Sequence, residues 1–426
     1  MIQRVVIAGG GTGGHLFPGI AVLEELRRRD PEVEVCFVGT ARGIEARVVP
    51  EMGEPLELVD VAPLKGTTYA GLLASLMKLP GAWGRCLSIL RERRPDVVLG
   101  VGGYASGPML MAAATLGIPC AVLEQNAHVG LTNRLLAKIV GRAYLTFRET
   151  AEVFGDRARI VGNPVRRAFL DAAHIALSDP DGFEARARKV LVIGGSQGAK
   201  ALNEAVPAAL AAAGLAERGI EVLHQTGAAM QAEVEARYRE LGLRAEVTPF
   251  VSDMARAYAE AQLVIARAGA TTLAEIQAIG RPSVLVPYPH AADDHQTRNA
   301  RALEASGAAI CAPQSELTTE GLARTVGELL SAPEKRRAMA IAARRGGRPD
   351  AAQAIVDDLI AWVGGKPMTG LPLRASEPPK RGGGMQFATV ELGTARGELV
   401  VRRSSRPPAP PVRIEVVPAA VPRLVS

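Results

Sequence analysis

A histidine set where a buried strand opens into a helix is placed to handle a proton, and this chain carries one. The apolar run Val5 to Ala8 leads into Gly9-Gly10-Gly11-Thr12-Gly13-Gly14-His15, and the run Val190 to Ile193 leads into Gly194-Gly195-Ser196-Gln197-Gly198-Ala199. At the carboxyl end of a first strand His15 faces the crevice where open α/β sheets bind ligands, and an imidazole there can serve as a general base near neutral pH. Glycine is needed where the turn is tight and backbone approaches a ligand, and the N–H groups that open the following helix favour an anion. Two such clusters predict two nucleotide-binding units facing one another across a cleft.

Other polar side chains fall at comparable strand ends. Ser196 reads either as a plain helix N-cap or as a ligand for phosphate oxygens, and the two roles are compatible. In Arg267-Ala268-Gly269-Ala270-Thr271-Thr272-Leu273-Ala274-Glu275 the Thr272/Glu275 spacing fits a capping box, while a nucleotide reading gives Glu275 the ribose hydroxyls. Asp293 and Gln296 have cap spacing as well, and Gln296 is the alternative reader of sugar hydroxyls. Glu124-Gln125-Asn126 places three polar residues directly after the run Pro119 to Leu123, and Gly102-Gly103-Tyr104-Ala105-Ser106-Gly107-Pro108 is a similar loop.

Several chemistries lose support. Gly9-x-Gly11-x-x-Gly14 formally matches a dinucleotide fingerprint, but the next strand ends Phe37-Val38-Gly39-Thr40 without the acid that holds an adenosine ribose. No lysine completes a Walker pattern. Asp179-x-Asp181 has the form of a metal site, but its Pro- and Gly-rich setting reads as a surface loop, so no metal and no cofactor are expected. Helix N-termini and Arg166 would then have to stabilise a leaving diphosphate. The net charge of +6 lies wholly in the tail, since from Lys366 onward there are ten basic and four acidic residues and the preceding chain carries 40 of each sign. With aromatics at 4%, nucleic acid is not an expected partner. Cys36, Cys86, Cys120 and Cys311 show no metal-binding spacing and read as buried thiols. A strand begins within four residues of the start and no apolar run reaches 18 residues, so a soluble or peripheral protein is expected.

The elements that position these residues follow from pattern. At 426 residues and 48% hydrophobic, two domains are the default. Strand-like runs at Arg4 to Ala8, Glu34 to Val38, Leu56 to Val61, Asp96 to Val101 and Pro119 to Leu123 alternate with helical patterns, which predicts a doubly wound parallel sheet over residues 1–163, closed by Asn163-Pro164. The pattern restarts at Lys189 and repeats at Glu221 to His224, Glu246 to Phe250, Leu263 to Ala266 and Ser283 to Pro287, giving a second such domain over 164–350. Residues 351–363 have helical spacing and are expected to cross back onto the first domain. Residues 364–426 hold ten prolines and a triple glycine and are expected to be disordered, with β-prone stretches at Phe387 to Leu392 and Glu398 to Arg402. Leu72, Leu73, Leu76, Met77, Leu79 and Trp83, flanked by Lys65, Lys78, Arg85, Arg91, Arg93 and Arg94, read either as a core-facing stripe or as a cationic apolar patch for anionic lipid.

Taken together, Gly10 to Gly19, Gly103 to Pro108, Glu124-Gln125-Asn126, Gly162-Asn163-Pro164-Val165-Arg166, Gly194 to Ala199 and Arg267 to Ala270 closely resemble, in family order over residues 1–363, the MurG family of glycosyltransferase family 28. The resemblance implies a GT-B fold, with UDP-GlcNAc held mostly by the second domain and a lipid acceptor by the first. It implies an inverting transfer of GlcNAc to the C4 hydroxyl of MurNAc in undecaprenyl-pyrophosphoryl-MurNAc-pentapeptide, a step of peptidoglycan synthesis, cell shape and division. By the same resemblance Thr12, Gly13 and Gly14 meet the donor across the cleft and Asn126 contacts its sugar. Arg166 and Ser196 engage the diphosphate, the main chain of Val251 pairs with uracil, and Ala270, Thr271, Thr272, Leu273, Ala274 and Glu275 wrap the phosphate and ribose. Gln296 reads GlcNAc hydroxyls, His15 is the candidate base, and Tyr104, Glu124 and Asn203 are further cleft residues. Leu123 departs from the family histidine before Glu-Gln-Asn, and the tail after Gly364 has no family counterpart.

The partners so implied are the donor, the undecaprenyl-linked acceptor, the anionic cytoplasmic face of the inner membrane, and other cell-wall synthesis or division proteins. Rival classes are another UDP-sugar enzyme of the same fold, a nicotinamide oxidoreductase and a silent membrane scaffold. UDP release and the choice of protecting ligand separate them.

Overall fold

A parallel strand covered by helices on both faces must be apolar throughout, and runs of that kind build two all-parallel sheets here. The structure, a computed structural model, describes residues 2–61, 69–178, 186–195, 197–291 and 294–364, with backbone alone for 69–77, 390–395 and 398–403. The first sheet contains β1 (Arg4–Gly9), β2 (Glu34–Gly39), β3 (Leu56–Leu58), β4 (Val97–Gly102), β5 (Cys120–Glu124), β6 (Arg142–Leu145) and β7 (Ala158–Ile160), in the order β3-β2-β1-β4-β5-β6-β7. The second contains β8 (Lys189–Ile193), β9 (Glu221–Gln225), β10 (Ala245–Thr248), β11 (Ala261–Ala266), β12 (Ser283–Leu285) and β13 (Ala309–Cys311), in the order β10-β9-β8-β11-β12-β13. Strand order reverses between β1 and β4 and between β8 and β11, so the loops leaving those four strands flank the two crevices. Both glycine clusters lie there.

Alternation along each central strand feeds two cores. Val5 and Ile7 pack with Leu16, Ile20 and Leu23 of the helix Gly13–Arg29, while Val6 and Ala8 pack on the other face with Cys86, Ile89 and Leu110. In the second sheet Val190 and Val192 meet Leu202 and Val206, and Leu191 and Ile193 meet Ala255 and Ile276. The helix Ala351–Val363 returns to the first sheet, where Ile355, Val356 and Leu359 join the core of Val5 and Ile7. Its buried Asp358 accepts hydrogen bonds from the Tyr144 hydroxyl at 2.8 Å and Arg142 Nε at 3.2 Å. All four cysteines are free and buried.

Some elements differ from expectation. The third strand stops at Leu58 instead of reaching Val61, and β6, β7 and β13 are strands that the sequence pattern did not single out. Val390–Ala395 and Glu398–Arg403 pair antiparallel as β14 and β15, so the β-prone stretches of the tail form a hairpin where disorder is expected. The rest of the tail after residue 364, Asp179, Asp181, Lys65 and the side chains of Leu72, Leu73, Leu76 and Met77 lie outside the described residues.

Candidate active site

The loops leaving β1, β8, β10 and β11 converge on a cleft of about 1190 Å³ between the two sheets. From the first sheet Thr12, Gly13, Gly14, His15, Phe17 and Asn126 line it; from the second come the Gly194–Gly195 turn, Gln197, Val251, Ala270, Thr271, Thr272, Glu275 and Gln296, with Arg166 between them. Leu273 is instead buried in the second core and Ala274 packs against it, because successive residues of the helix Ala270–Ile279 cannot all face one side. Ser196 and Asp293 lie outside the described residues.

His15 sits in the first turn of the helix Gly13–Arg29, its ring against Gly102 of the neighbouring strand end and its Nδ1 3.4 Å from Thr12 Oγ1. Burial lowers its pKa, opposed by the charge of Glu124, the main chain of Gly10 and the charge of Glu45, so the ring is held neutral and able to accept a proton. Glu124 is buried at the end of β5 outside the cleft lining, where it accepts Asn126 N–H (3.1 Å), Gly130 N–H (3.0 Å) and Asn133 Nδ2 (2.9 Å). Its carboxylate organises the loop that presents Asn126. Tyr104 is exposed on the loop after β4 and does not line the cleft.

Arg166 is stacked over the Phe17 ring at 4.4 Å, lies 3.9 Å from Glu275 and has a buried Nε with no partner. Glu275 is not the second half of a capping box. The helix begins at Ala270 with Gly269 as its cap, which carries Glu275 into the interior, where it accepts from the Tyr258 hydroxyl at 3.3 Å. Burial there pushes its carboxyl up to about 7, against the pull of Arg166. The Gln296 Oε1 accepts the N–H groups of Ala268 (3.2 Å) and Tyr288 (3.0 Å). Asn203 is buried away from the lining, giving Nδ2 to Thr226 O at 3.0 Å and meeting His224 Nε2 at 3.1 Å.

The sequence reading passed over two polar residues, Gln225 and Glu45, and gave Arg267 no role of its own. Gln225, at the end of β9, donates to Gly195 O (2.8 Å) and accepts Val251 N–H (3.0 Å), which ties the second glycine cluster to the loop after β10. Arg267 turns inward onto the carbonyls of Val286 and Pro287. Glu45 folds its carboxylate under the first glycine cluster. A polar residue closing an apolar run was the available signal for Gln225; Gly39 and Gly43, which clear space for Glu45, were the signal there.

Comparison with known proteins agrees with this geometry. Residues 5–145 match the model of the glycosyltransferase family 28 N-terminal domain and residues 189–355 that of the family 28 C-terminal domain. The chain is 51% identical over 363 residues to the UDP-N-acetylglucosamine--N-acetylmuramyl-(pentapeptide) pyrophosphoryl-undecaprenol N-acetylglucosamine transferase of Anaeromyxobacter dehalogenans, covering 85% of this chain and 93% of that protein. The protein of the same name from Myxococcus xanthus is 48% identical over 360 residues, covering 84% and 92%. Among solved structures, Acinetobacter baumannii MurG superposes with a TM-score of 0.65 at 32% identity, covering 84% of this chain and 99% of that one. The fold is GT-B.

Proposed function

The chain belongs to glycosyltransferase family 28, and from that premise we propose that it transfers N-acetylglucosamine from UDP-N-acetylglucosamine to the C4 hydroxyl of MurNAc in undecaprenyl-pyrophosphoryl-MurNAc-pentapeptide. The observation that carries this reading is the 51% identity across both domains to a transferase of that name, joined to a cleft lined from both sheets. In the step, the C4 oxygen bonds to the anomeric carbon as its bond to UDP breaks, with inversion. The hydroxyl proton passes to neutral His15 and UDP departs. Negative charge then grows on the diphosphate, where the Arg166 guanidinium and the N–H groups opening the helix Ala270–Ile279 meet it. Val251, Gln296 and Asn126 hold base and sugar in this reading.

The acceptor's lipid requires a membrane face. Among the described residues no helix is long and apolar enough to cross a bilayer. Trp83, Met111, Leu131, Leu135 and Ile139 are exposed on or beside the helices Tyr69–Arg93, Ser106–Thr115 and Leu131–Leu136, which pack in sequence on the first domain. Further along the first of these helices Ala82, Cys86, Ile89 and Leu90 pack into the core, while Trp83 is exposed. Lys78 and Arg85 are paired with Asp60 and Glu57, so the apolar side chains, more than those two cations, make the docking face at the cytoplasmic leaflet.

The test is UDP release from UDP-N-acetylglucosamine with a soluble prenyl-pyrophosphoryl-MurNAc-peptide, with and without excess EDTA. Release that depends on the acceptor and survives EDTA is expected; release without acceptor, or its loss in EDTA, contradicts the reading.

A further inference from the structure

The first glycine cluster has the shape of an anion cradle, and an anion of the chain's own lies in it. Glu45, almost wholly buried at the start of the helix Glu45–Glu51, accepts Gly11 N–H at 2.6 Å through Oε2 and, through Oε1, Thr40 N–H at 2.9 Å and the Thr40 hydroxyl at 3.0 Å. A Cβ at Gly10, Gly39 or Gly43 would collide with this carboxylate, so three glycines from two strand-end loops leave it room. Gly10 N–H is also taken, by Gly102 O at 3.2 Å. Two amides of the cradle are therefore spent inside the protein. Thr12, Gly13 and Gly14 line the cleft and Glu45 does not, so the carboxylate braces the turn from behind.

We propose that Glu45 is a positioning residue whose carboxylate braces the glycine turn from behind the cleft, fixing the turn that presents His15. The proposal rests on the reading of His15 as the base. The link is geometric: His15 packs on Gly102, Gly102 O holds Gly10, and Glu45 holds Gly11. Loosening the turn displaces the ring, and misplacement by about 1 Å costs on the order of a hundredfold in rate. The charged and titratable groups facing His15 are Glu124, His295 and Glu45.

Two variants and a parallel control test it. Glu45→Ala should lower kcat roughly 10- to 100-fold with little change in donor KM. Added formate or acetate should restore much of the loss, because the space beside Gly10, Gly39 and Gly43 then admits a small carboxylate; chloride at equal ionic strength should not. Glu45→Gln keeps the volume but turns an amide NH₂ toward a backbone N–H, so it should be slow and unrescued. With one anion fewer near His15, the acid limb of its rate profile should also move to lower pH. Absence of formate rescue, or a Glu45→Ala kcat at the wild-type level, would overturn the proposal. If Glu45→Ala does not fold, Glu45→Gln decides: wild-type kcat with an unmoved acid limb overturns it. His15→Ala is assayed alongside; full turnover there removes the base assignment alone, while formate rescue of Glu45→Ala still reports whether a carboxylate holds the turn.

Discussion

The Thr271 hydroxyl, from the second domain, donates to the carbonyl oxygen of Gly14 in the first, at 3.0 Å. The cause lies in the sequence four residues on. Pro18 sits inside the helix Gly13–Arg29 and has no N–H, so Gly14 O lacks its usual helical donor and is left to be satisfied from outside. Thr271 supplies that bond while accepting one from Asn163 Nδ2 at 3.3 Å, so one hydroxyl connects the histidine-bearing helix, the segment between the sheets and the start of the helix Ala270–Ile279. A proline that would ordinarily weaken a helix instead creates a contact across the cleft.

Thr271→Val keeps the shape and removes the hydroxyl. It should destabilise the protein by about 0.5–1.5 kcal/mol, the net worth of one hydrogen bond whose acceptor water can reach, and reduce the thermal protection given by UDP-N-acetylglucosamine, whereas Thr271→Ser should be close to wild type. Denaturant melts and ligand-shifted melts of the three proteins check this. Equal behaviour of the valine and serine variants would rule the hydroxyl out.

Glu275 gives stability a pH dependence of known sign. Its folded pKa, about 7, lies above the ordinary carboxylate value, so its contribution is fully present below about pH 4.5 and is lost as pH rises through 7. Glu275→Gln does not titrate. Relative to wild type the variant should therefore gain on the order of 2–3 kcal/mol between pH 4.5 and pH 8, read as the difference of urea unfolding free energies at the two values. A pH-independent difference would mean that Arg166 keeps the carboxylate charged throughout.

How far the sequence carried this picture depends on burial. The central strands β1, β4, β8 and β11 were legible because both faces are covered and their residues run apolar without break. The edge and short strands β6, β7 and β13 have three or four residues each, too few for a period to register. The cleft was legible at the glycines and His15, whose types are unusual after such runs. Asn203 and Leu273 were misplaced because neighbouring helix positions face opposite ways, and where a helix begins decides which. Glu45 and Gln225 escaped because their work is done through hydrogen bonds to backbone far along the chain, which spacing does not encode.

Membrane docking should respond to the exposed apolar side chains of the first domain. Leu135, 67% exposed, and Leu131, 52% exposed, lie on one short helix near Lys138, and burying each in lipid is worth about 1–2 kcal/mol. The double variant Leu131→Glu/Leu135→Glu should lose flotation with anionic vesicles by about tenfold or more, with turnover on a water-soluble acceptor unchanged. Retention on vesicles at wild-type level would place the docking face elsewhere.

The sharpest prediction concerns His15. Burial lowers its pKa below 6.5 despite the opposing charges of Glu124 and Glu45, so the ring stays neutral through physiological pH and gains a proton only under more acid conditions. As base for the C4 hydroxyl it should contribute roughly 10²- to 10⁴-fold, a loss His15→Ala should show in kcat. Binding of UDP-N-acetylglucosamine, measured by calorimetry, should change little, because the proposed function gives the donor's phosphates to Arg166 and the second domain. The wild-type plot of kcat against pH should fall on an acid limb centred below 6.5, and in His15→Ala that limb should vanish, not merely scale down. A variant that is slow yet keeps the same limb would assign the titration to another group and leave His15 a role in packing against Gly102.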